Sequence, residues 1–276
     1  MARTIAVSGS ASGIGESLAG LLRDQGDTVI GVDLKDAEVC ADLAGPEGRA
    51  RAVAEVLDRC GGTLDGVVAC AGVSTVLQPP PTAVQSTSSA RPTFTDLTVK
   101  VNFFGAVALL DGLRPALARA GRPRAAVVGS ISATQPVDDA VLRACLDGDE
   151  PAALEAAARV VEAGAGNKLY PSSKSALAQW LRRACVTPDW AGAGIPLNAI
   201  APGVVRTPMS APLFEDERMF KAMNDAVPMP LNGYADAEVI AEALRWLISP
   251  ANSHMTGQII YIDGGAEPTL RGPGAF

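Results

Sequence analysis

Basic residues are scarce along this 276-residue chain, with 23 Lys and Arg against 30 Asp and Glu and a formal charge of −7. That balance leaves no basic stripe for a nucleic-acid surface and no attraction to an anionic membrane. Apolar runs of membrane-spanning length are missing, as is a charged-then-apolar leader ahead of the strand candidate that follows Met1-Ala2-Arg3. Cys40, Cys60, Cys70, Cys145 and Cys185 are odd in number and lack metal-ligand spacing, so they read as buried thiols in a reducing compartment. No repeat of solenoid period occurs. A soluble, cytoplasmic protein with a small neutral or apolar ligand is expected, with no nucleic acid, membrane or metal as partner. What the chain has in quantity is apolar: 48% hydrophobic residues are enough for a large core, read as a single domain over residues 1–276.

The most telling stretch is Tyr170-Pro171-Ser172-Ser173-Lys174, at the start of an apolar helical run. Four residues apart on a helix, the phenol and the ammonium share one face. A tyrosine is a poor base at neutral pH unless a nearby positive charge favours its phenolate, and Lys174 is placed to be that charge. The same spacing also arises by chance on amphipathic helices, so the other parts of a site must be found elsewhere.

They are found in order along the chain. Thr4 to Ser8 reads as a strand, followed by Gly9-Ser10-Ala11-Ser12-Gly13-Ile14-Gly15 and an amphipathic helix from Glu16 to Gln25. Strand, glycine-rich turn and helix form a cradle whose backbone N–H groups accept a pyrophosphate at the positive helix end. The next strand, Thr28 to Val32, ends in Asp33, whose carboxylate suits both ribose hydroxyls of an adenosine and repels a 2′-phosphate; NAD is therefore favoured over NADP, with Lys35 able to weaken that preference. A short strand near Glu38 to Ala41 leads to Asp42-Leu43, either a contact for the adenine amino group or an ordinary loop acid. Gly66 to Cys70 is a strand buried on both faces, and Ala71-Gly72 after it permits close approach of a cofactor.

Ser74 to Arg91 turns to Pro, Ser, Thr and Gln and reads as loop or linker. Thr98 to Leu113 reads as a long helix interrupted by Asn102, a costly residue to bury unless its amide has partners. The strand Ala125 to Val128 ends in Gly129-Ser130-Ile131-Ser132, hydroxyls at the sheet edge where α/β proteins hold ligands. An acidic insertion over about 133–166 carries one helix, Pro151 to Ala163, and no catalytic constellation. After the strand Ile195 to Ile200 comes Pro202-Gly203-Val204-Val205-Arg206-Thr207. The stretch of about 209–230, rich in Met, Leu and Phe, is either a lid over an apolar ligand or a plain surface helix. Asp236 caps a helix to Ile248, and a last strand, Gln258 to Ile262, precedes Asp263-Gly264-Gly265. About seven strands with helices between them predict an α/β doubly wound parallel sheet with helices on both faces, a Rossmann fold.

Taken together, the glycine turn, Ala71-Gly72, Asn102, Ser130, Tyr170-x-x-x-Lys174, Pro202-Gly203 and Asp263-Gly264-Gly265 resemble the short-chain dehydrogenase/reductase family, in that family's order. The resemblance implies an oxidoreductase that binds NAD(P) and assembles as a homodimer or homotetramer. It casts Tyr170 as the acid/base, Lys174 as its cationic partner and a ribose contact, and Ser130 as the hydroxyl that polarises the substrate oxygen, with Ser132 as competitor. Asn102 would support a proton relay. Gly9, Ser12, Gly13, Ile14, Gly15, Asp33, Asp42, Leu43, Ala71 and Gly72 would line the dinucleotide, and Pro202, Gly203, Val205 and Thr207 the nicotinamide. Ser8 replaces the usual Thr, and Ala69-Cys70 the usual paired asparagines, which leaves the bracing of the central strand open. The insertion, together with Asp36 to Leu43 and Cys70-Ala71-Gly72, is similar to the bacterial 3α-hydroxysteroid dehydrogenase/carbonyl reductase branch. That branch implies secondary alcohols and ketones on a bulky apolar skeleton. The insertion itself reads as a surface helix or as part of a subunit contact, and is expected to pack beside the helix of Tyr170 and to alter the usual subunit interface. The alternatives are a dehydrogenase of a terpenoid, small diol or other alcohol, or a non-catalytic NAD-binding regulator.

Overall fold

In the computed structural model, which describes residues 2–74 and 94–275, the strands are β1 (Thr4–Ser8), β2 (Thr28–Asp33), β3 (Val39–Cys40), β4 (Gly66–Ala69), β5 (Arg124–Val128), β6 (Leu197–Pro202), β7 (Val205–Arg206), β8 (Ala235–Asp236) and β9 (Ile259–Ile262). Seven of them make one parallel sheet in the order β3-β2-β1-β4-β5-β6-β9, and β7 pairs with β8 in a separate ribbon. The sheet is the doubly wound one expected. Chain order reverses between β1 and β4, so the loops after those strands diverge and open a crevice at their carboxyl ends.

Alternation within the strands explains why both faces are apolar. Ala6, Val67, Ala69, Ala125 and Val127 point into one core, while Ile5, Val7, Val68, Ala126 and Val128 point into the other. The first core is closed by α2 (Pro46–Arg59), α4 (Ala106–Leu117) and α7 (Leu169–Ala184), through Val56, Leu109, Leu113, Leu177 and Leu181. The second is closed by α1 (Gly13–Asp24) and α10 (Ala237–Leu247), through Leu18, Leu22, Ile240 and Leu244. Asp236 stands at the amino end of α10 but makes no side-chain cap there, contrary to expectation; its carboxylate is drawn to Arg206, 3.5 Å away across the β7–β8 ribbon.

The predicted helix from Thr98 to Leu113 is a composite: α3 (Phe94–Val99), a π-helical segment over Lys100–Gly105, then α4. The wide turn contains Asn102 and is where the regular ladder gives way, a frequent mark of a functional site. Most of the Ser74 to Arg91 stretch lies outside the described residues.

The insertion holds two helices where sequence indicated one: α5 (Asp139–Leu146) and α6 (Glu150–Glu162). Asp138 caps the first through the amides of Ala140 and Val141, and Asp149 the second through that of Ala152. Neither is a free surface helix. Val141 and Cys145 of α5 and Ala153, Ala156, Ala157 and Val160 of α6 are buried in the first core, and the Asp138 amide donates to Ser172 Oγ on α7 at 2.9 Å. The insertion thus packs beside the helix of Tyr170, as expected. Ala157 is fully buried and Ala158 exposed. Ala157→Asp should therefore lower unfolding free energy by at least about 3 kcal/mol, and Ala158→Asp change it by no more than about 0.5 kcal/mol, in chemical denaturation. Equal effects would mean that α6 is not docked.

Candidate active site

The crevice is a cleft of about 590 Å³ between the glycine turn, the ends of β4, β5 and β6, and the start of α7. Gly9 and Gly13 take positive φ of 69° and 57°. A Cβ on Gly9 would stand 2.9 Å from Ala71 Cα, and one on Gly15 2.1 Å from the Gly9 carbonyl oxygen, so only glycine lets the turn fold back on β4 and under α1. Ser12 precedes α1 in extended conformation and puts no side-chain cap on it. The first-turn N–H groups therefore remain available to an anion. Opposite them, Gly72 leaves room that a Cβ would fill, 3.3 Å from Asn102 Oδ1 and 3.6 Å from Lys174 Nζ. A channel floored by glycine, with helix-end donors along one wall, fits a dinucleotide.

Of the residues expected in this site, Gly9, Ser12, Gly13, Ile14, Gly15, Ala71, Gly72, Ser130, Tyr170, Lys174, Pro202, Gly203, Val205 and Thr207 line the cleft. Asp33, Asp42, Leu43 and Asn102 do not. Asp33 lies beside the turn, its Oδ2 accepting from the Ala11 amide at 3.0 Å and its Oδ1 from the Leu34 amide at 2.7 Å. Asp42 is exposed at the end of β3 and accepts from the Ala44 amide at 2.8 Å, while the Leu43 side chain is buried in the first core. The Ser8 hydroxyl accepts from the amides of Cys70 and Ala71, both at 3.1 Å, so the serine braces the central strand in place of the usual threonine.

Asn102 is wholly buried yet fully engaged. Its Oδ1 accepts from the Val73 amide at 2.8 Å, and its Nδ2 donates to the Val73 carbonyl at 2.9 Å and to Ser173 Oγ at 3.3 Å. Both amide N–H groups hold the chain after β4 against α7.

Lys174 Nζ donates to the Val128 carbonyl at 2.8 Å and lies 5.8 Å from the centre of the Tyr170 ring. Burial pulls its pKa down to about 8, with the nearby Cys70 sulfur opposing. Tyr170 goes the other way from what the sequence suggested: burial pushes the phenol up, and only its hydrogen bond with Ser130 favours the phenolate. In this state the ammonium is directed to the end of β5 and does not offset the loss of water around the phenol. Ser130 Oγ also accepts from the Ser132 amide at 3.1 Å. Both serines line the cleft, but Ser130 is the one bonded to Tyr170.

Residues that the sequence did not single out complete the walls. Gln135 and Asn167, at the two ends of the insertion, face the cleft, and Gln135 Nε2 donates to the Ala226 carbonyl at 3.4 Å. The 209–230 stretch folds as α8 (Ala211–Glu215) and α9 (Glu217–Ala226), and Met209, Leu213, Met219, Met223 and Val227 roof the space above Tyr170. An insertion end is found only when both flanking elements are placed, so sequence offered no signal for Gln135 or Asn167.

Residues 3–142 match the family model described as short chain dehydrogenase, and residues 152–267 the one described as enoyl-(acyl carrier protein) reductase. The chain is 36% identical to the 3-alpha-hydroxysteroid dehydrogenase/carbonyl reductase of Comamonas testosteroni, over 97% of each protein. It superposes with a TM-score of 0.85 on the crystal structure of the 3-alpha-hydroxysteroid dehydrogenase from Pseudomonas sp. B-0831 complexed with NADH, at 42% identity, covering 99% of this chain and 100% of that one. Levodione reductase, at 22% identity, shares the fold with a TM-score of 0.71 over 96% of this chain and 97% of its own. With the sheet, the glycine turn and the Ser130, Tyr170 and Lys174 cluster already in place, these likenesses settle that the chain belongs to the short-chain dehydrogenase/reductase family of oxidoreductases.

Proposed function

We propose that the protein is an NAD-dependent dehydrogenase/reductase that interconverts a secondary alcohol and a ketone on a bulky apolar skeleton, of the hydroxysteroid class or a related carbonyl compound. The observation that carries this reading is that one cleft joins the glycine cradle to the Ser130–Tyr170 pair beneath a roof of methionine, leucine and valine. The relatives named for 3-alpha-hydroxysteroids, one of them in complex with NADH, support it. Asp33 supports NAD over NADP, since its carboxylate, fixed by two backbone amides, would face a 2′-phosphate without a counter-charge. Assembly as a homo-oligomer in the cytoplasm is part of the same reading.

Bound in the cradle, a nicotinamide would supply the hydride acceptor or donor. The glycine turn and the amino end of α1 would hold the pyrophosphate, and Pro202, Gly203, Val205 and Thr207 the ring end. For ketone reduction, Tyr170 with its raised pKa is already in the required form: a neutral phenol that passes its proton to the developing alkoxide. Ser130, bonded to that phenol, is placed to donate to the same oxygen and to steady its charge. In alcohol oxidation, Tyr170 must first lose its proton, and the Lys174 ammonium would lower that cost once turned from the Val128 carbonyl toward the phenol. The apolar roof excludes water and strengthens both interactions.

Tyr170→Phe should retain NADH binding, measured by fluorescence titration, while turnover falls by about a hundred- to ten-thousand-fold; substantial residual activity would refute its role. Asp33→Ala should narrow the ratio of kcat/KM for NAD over NADP, and an unchanged ratio would assign the choice to another group. Lys174 supplies a pH signature. Its pKa falls from 10.5 to about 8 in the folded protein, so between these values the unfolded chain holds more protons, and stability from this group rises with pH. Tyr170, shifted upward from 10.0, opposes this only above its usual value. The buried thiols of Cys70 and Cys145, raised from 9.0 to about 12, oppose it above pH 9, so Lys174→Met should lower the slope of unfolding free energy against pH between pH 8 and 9; parallel slopes in the two proteins would show that the lysine is not desolvated.

A further inference from the structure

Arg49 lies on α2, outside the cleft, with only 7% of its surface exposed. Its Nε donates to the Leu43 carbonyl at 2.7 Å, and its Nη2 to the carbonyls of Ala44 at 3.0 Å and Lys100 at 3.3 Å. Its Nη1 and Nη2 form a two-pronged pair with Glu150 at 2.6 and 2.9 Å, and the guanidinium carbon lies 5.8 Å over the Phe104 ring. One side chain thus ties together the loop after β3, the first residue of the π-helical segment that holds Asn102, and the first residue of α6 in the insertion. A planar fork with five donors can do this, and an ammonium cannot.

The loop it grips is shaped from three sides. A Cβ on Gly48 would stand 1.9 Å from the Asp42 carbonyl oxygen, so α2 presses directly on the Asp42 backbone. A Cβ on Gly105 would stand 3.1 Å from the Leu43 carbonyl oxygen. Asp33 pairs in register with Cys40, two residues before Asp42, so both carboxylates stand at the same edge of the sheet. Two carbonyls of a three-residue loop bonded to one buried cation fix where the exposed Asp42 carboxylate points, and that cation is balanced by Glu150 alone among the described residues.

We propose that Arg49 and Glu150 are positioning residues for the adenosine half of the cofactor: the insertion, through Glu150, holds Arg49, and Arg49 holds the Asp42–Leu43 loop in its binding form. This rests on the proposed binding of NAD with its ribose at Asp33, and takes the first of the two roles open to Asp42, a contact for the adenine amino group. Loss of Glu150 leaves the guanidinium buried with three of its five hydrogen bonds and no counter-charge among the described residues, and the loop carbonyls lose a fixed donor.

The test compares NADH with reduced nicotinamide mononucleotide, which lacks the adenosine, in fluorescence titrations of the full-length wild type, Glu150→Gln, Glu150→Ala and Arg49→Lys. The Kd for NADH should rise roughly threefold in Glu150→Gln and roughly tenfold in Glu150→Ala and Arg49→Lys. The Kd for the mononucleotide should stay within error in all of them, as should kcat at saturating NAD. The isosteric Glu150→Gln keeps the test alive if a harsher variant fails to fold. An unchanged Kd for NADH overturns the proposal, and so does an equal loss for both ligands, which is what a merely structural pair would give. A wild type that binds NADH no more tightly than the mononucleotide overturns the adenosine reading beneath it, and the proposal with it.

Discussion

The ammonium of Lys174 has to sit inside an apolar fold, and what holds it there is a carbonyl, not a carboxylate. The Val128 oxygen is available because the pairing of β5 with β4 stops one residue earlier, at Val127 and Ala69. A carboxylate in that place would neutralise the lysine's field and keep its pKa high. A carbonyl orients the ammonium and leaves its charge free to act on the phenol or on whatever enters the cleft. The fold delivers this arrangement by geometry: a parallel sheet ends its strands on one side, and α7 crosses those ends with Tyr170 and Lys174 on the facing stripe.

That placement requires α7 to be fixed in rotation as well as position. Asn102 and Ser172 do this from opposite sides. Asn102 reaches from the π-helical segment to Ser173 and the Val73 backbone, while Ser172 accepts from Asp138 and donates to the Lys168 carbonyl. The two serines between Tyr170 and Lys174 are both buried and both bonded. They anchor the helix whose neighbouring positions are proposed to do chemistry.

The parts of the site that could be read from the sequence were those carried by local spacing. Tyr170 and Lys174 are one helical turn apart, and the glycine turn lies between a strand and a helix, so each could be placed from its own neighbours. Alternation of apolar residues along the strands was hidden because both faces are buried, yet the runs were short and bounded enough to be counted. Three things were out of reach. The direction of the Tyr170 shift depends on how completely tertiary packing removes water from the phenol. Gln135 and Asn167 lie 32 positions apart and meet the same cavity only because α5 and α6 double back between them. Arg49 carried no signal of its own in the sequence, since its partner Glu150 lies in an insertion a hundred residues downstream.

The insertion departs at Gln135, after β5, and rejoins the fold at Asn167, just ahead of α7, and both points line the cleft. Its bulk lies away from the cleft, against α3 and α7. A hairpin built in this manner can lengthen, shorten or change its outer residues over evolutionary time without disturbing the aperture, so long as its two anchor points keep their span. Variation in the excursion would then tune grip on the nucleotide's far end through Glu150, and variation at its anchors would tune which skeletons are admitted, so that the two selectivities can diverge independently within one short segment.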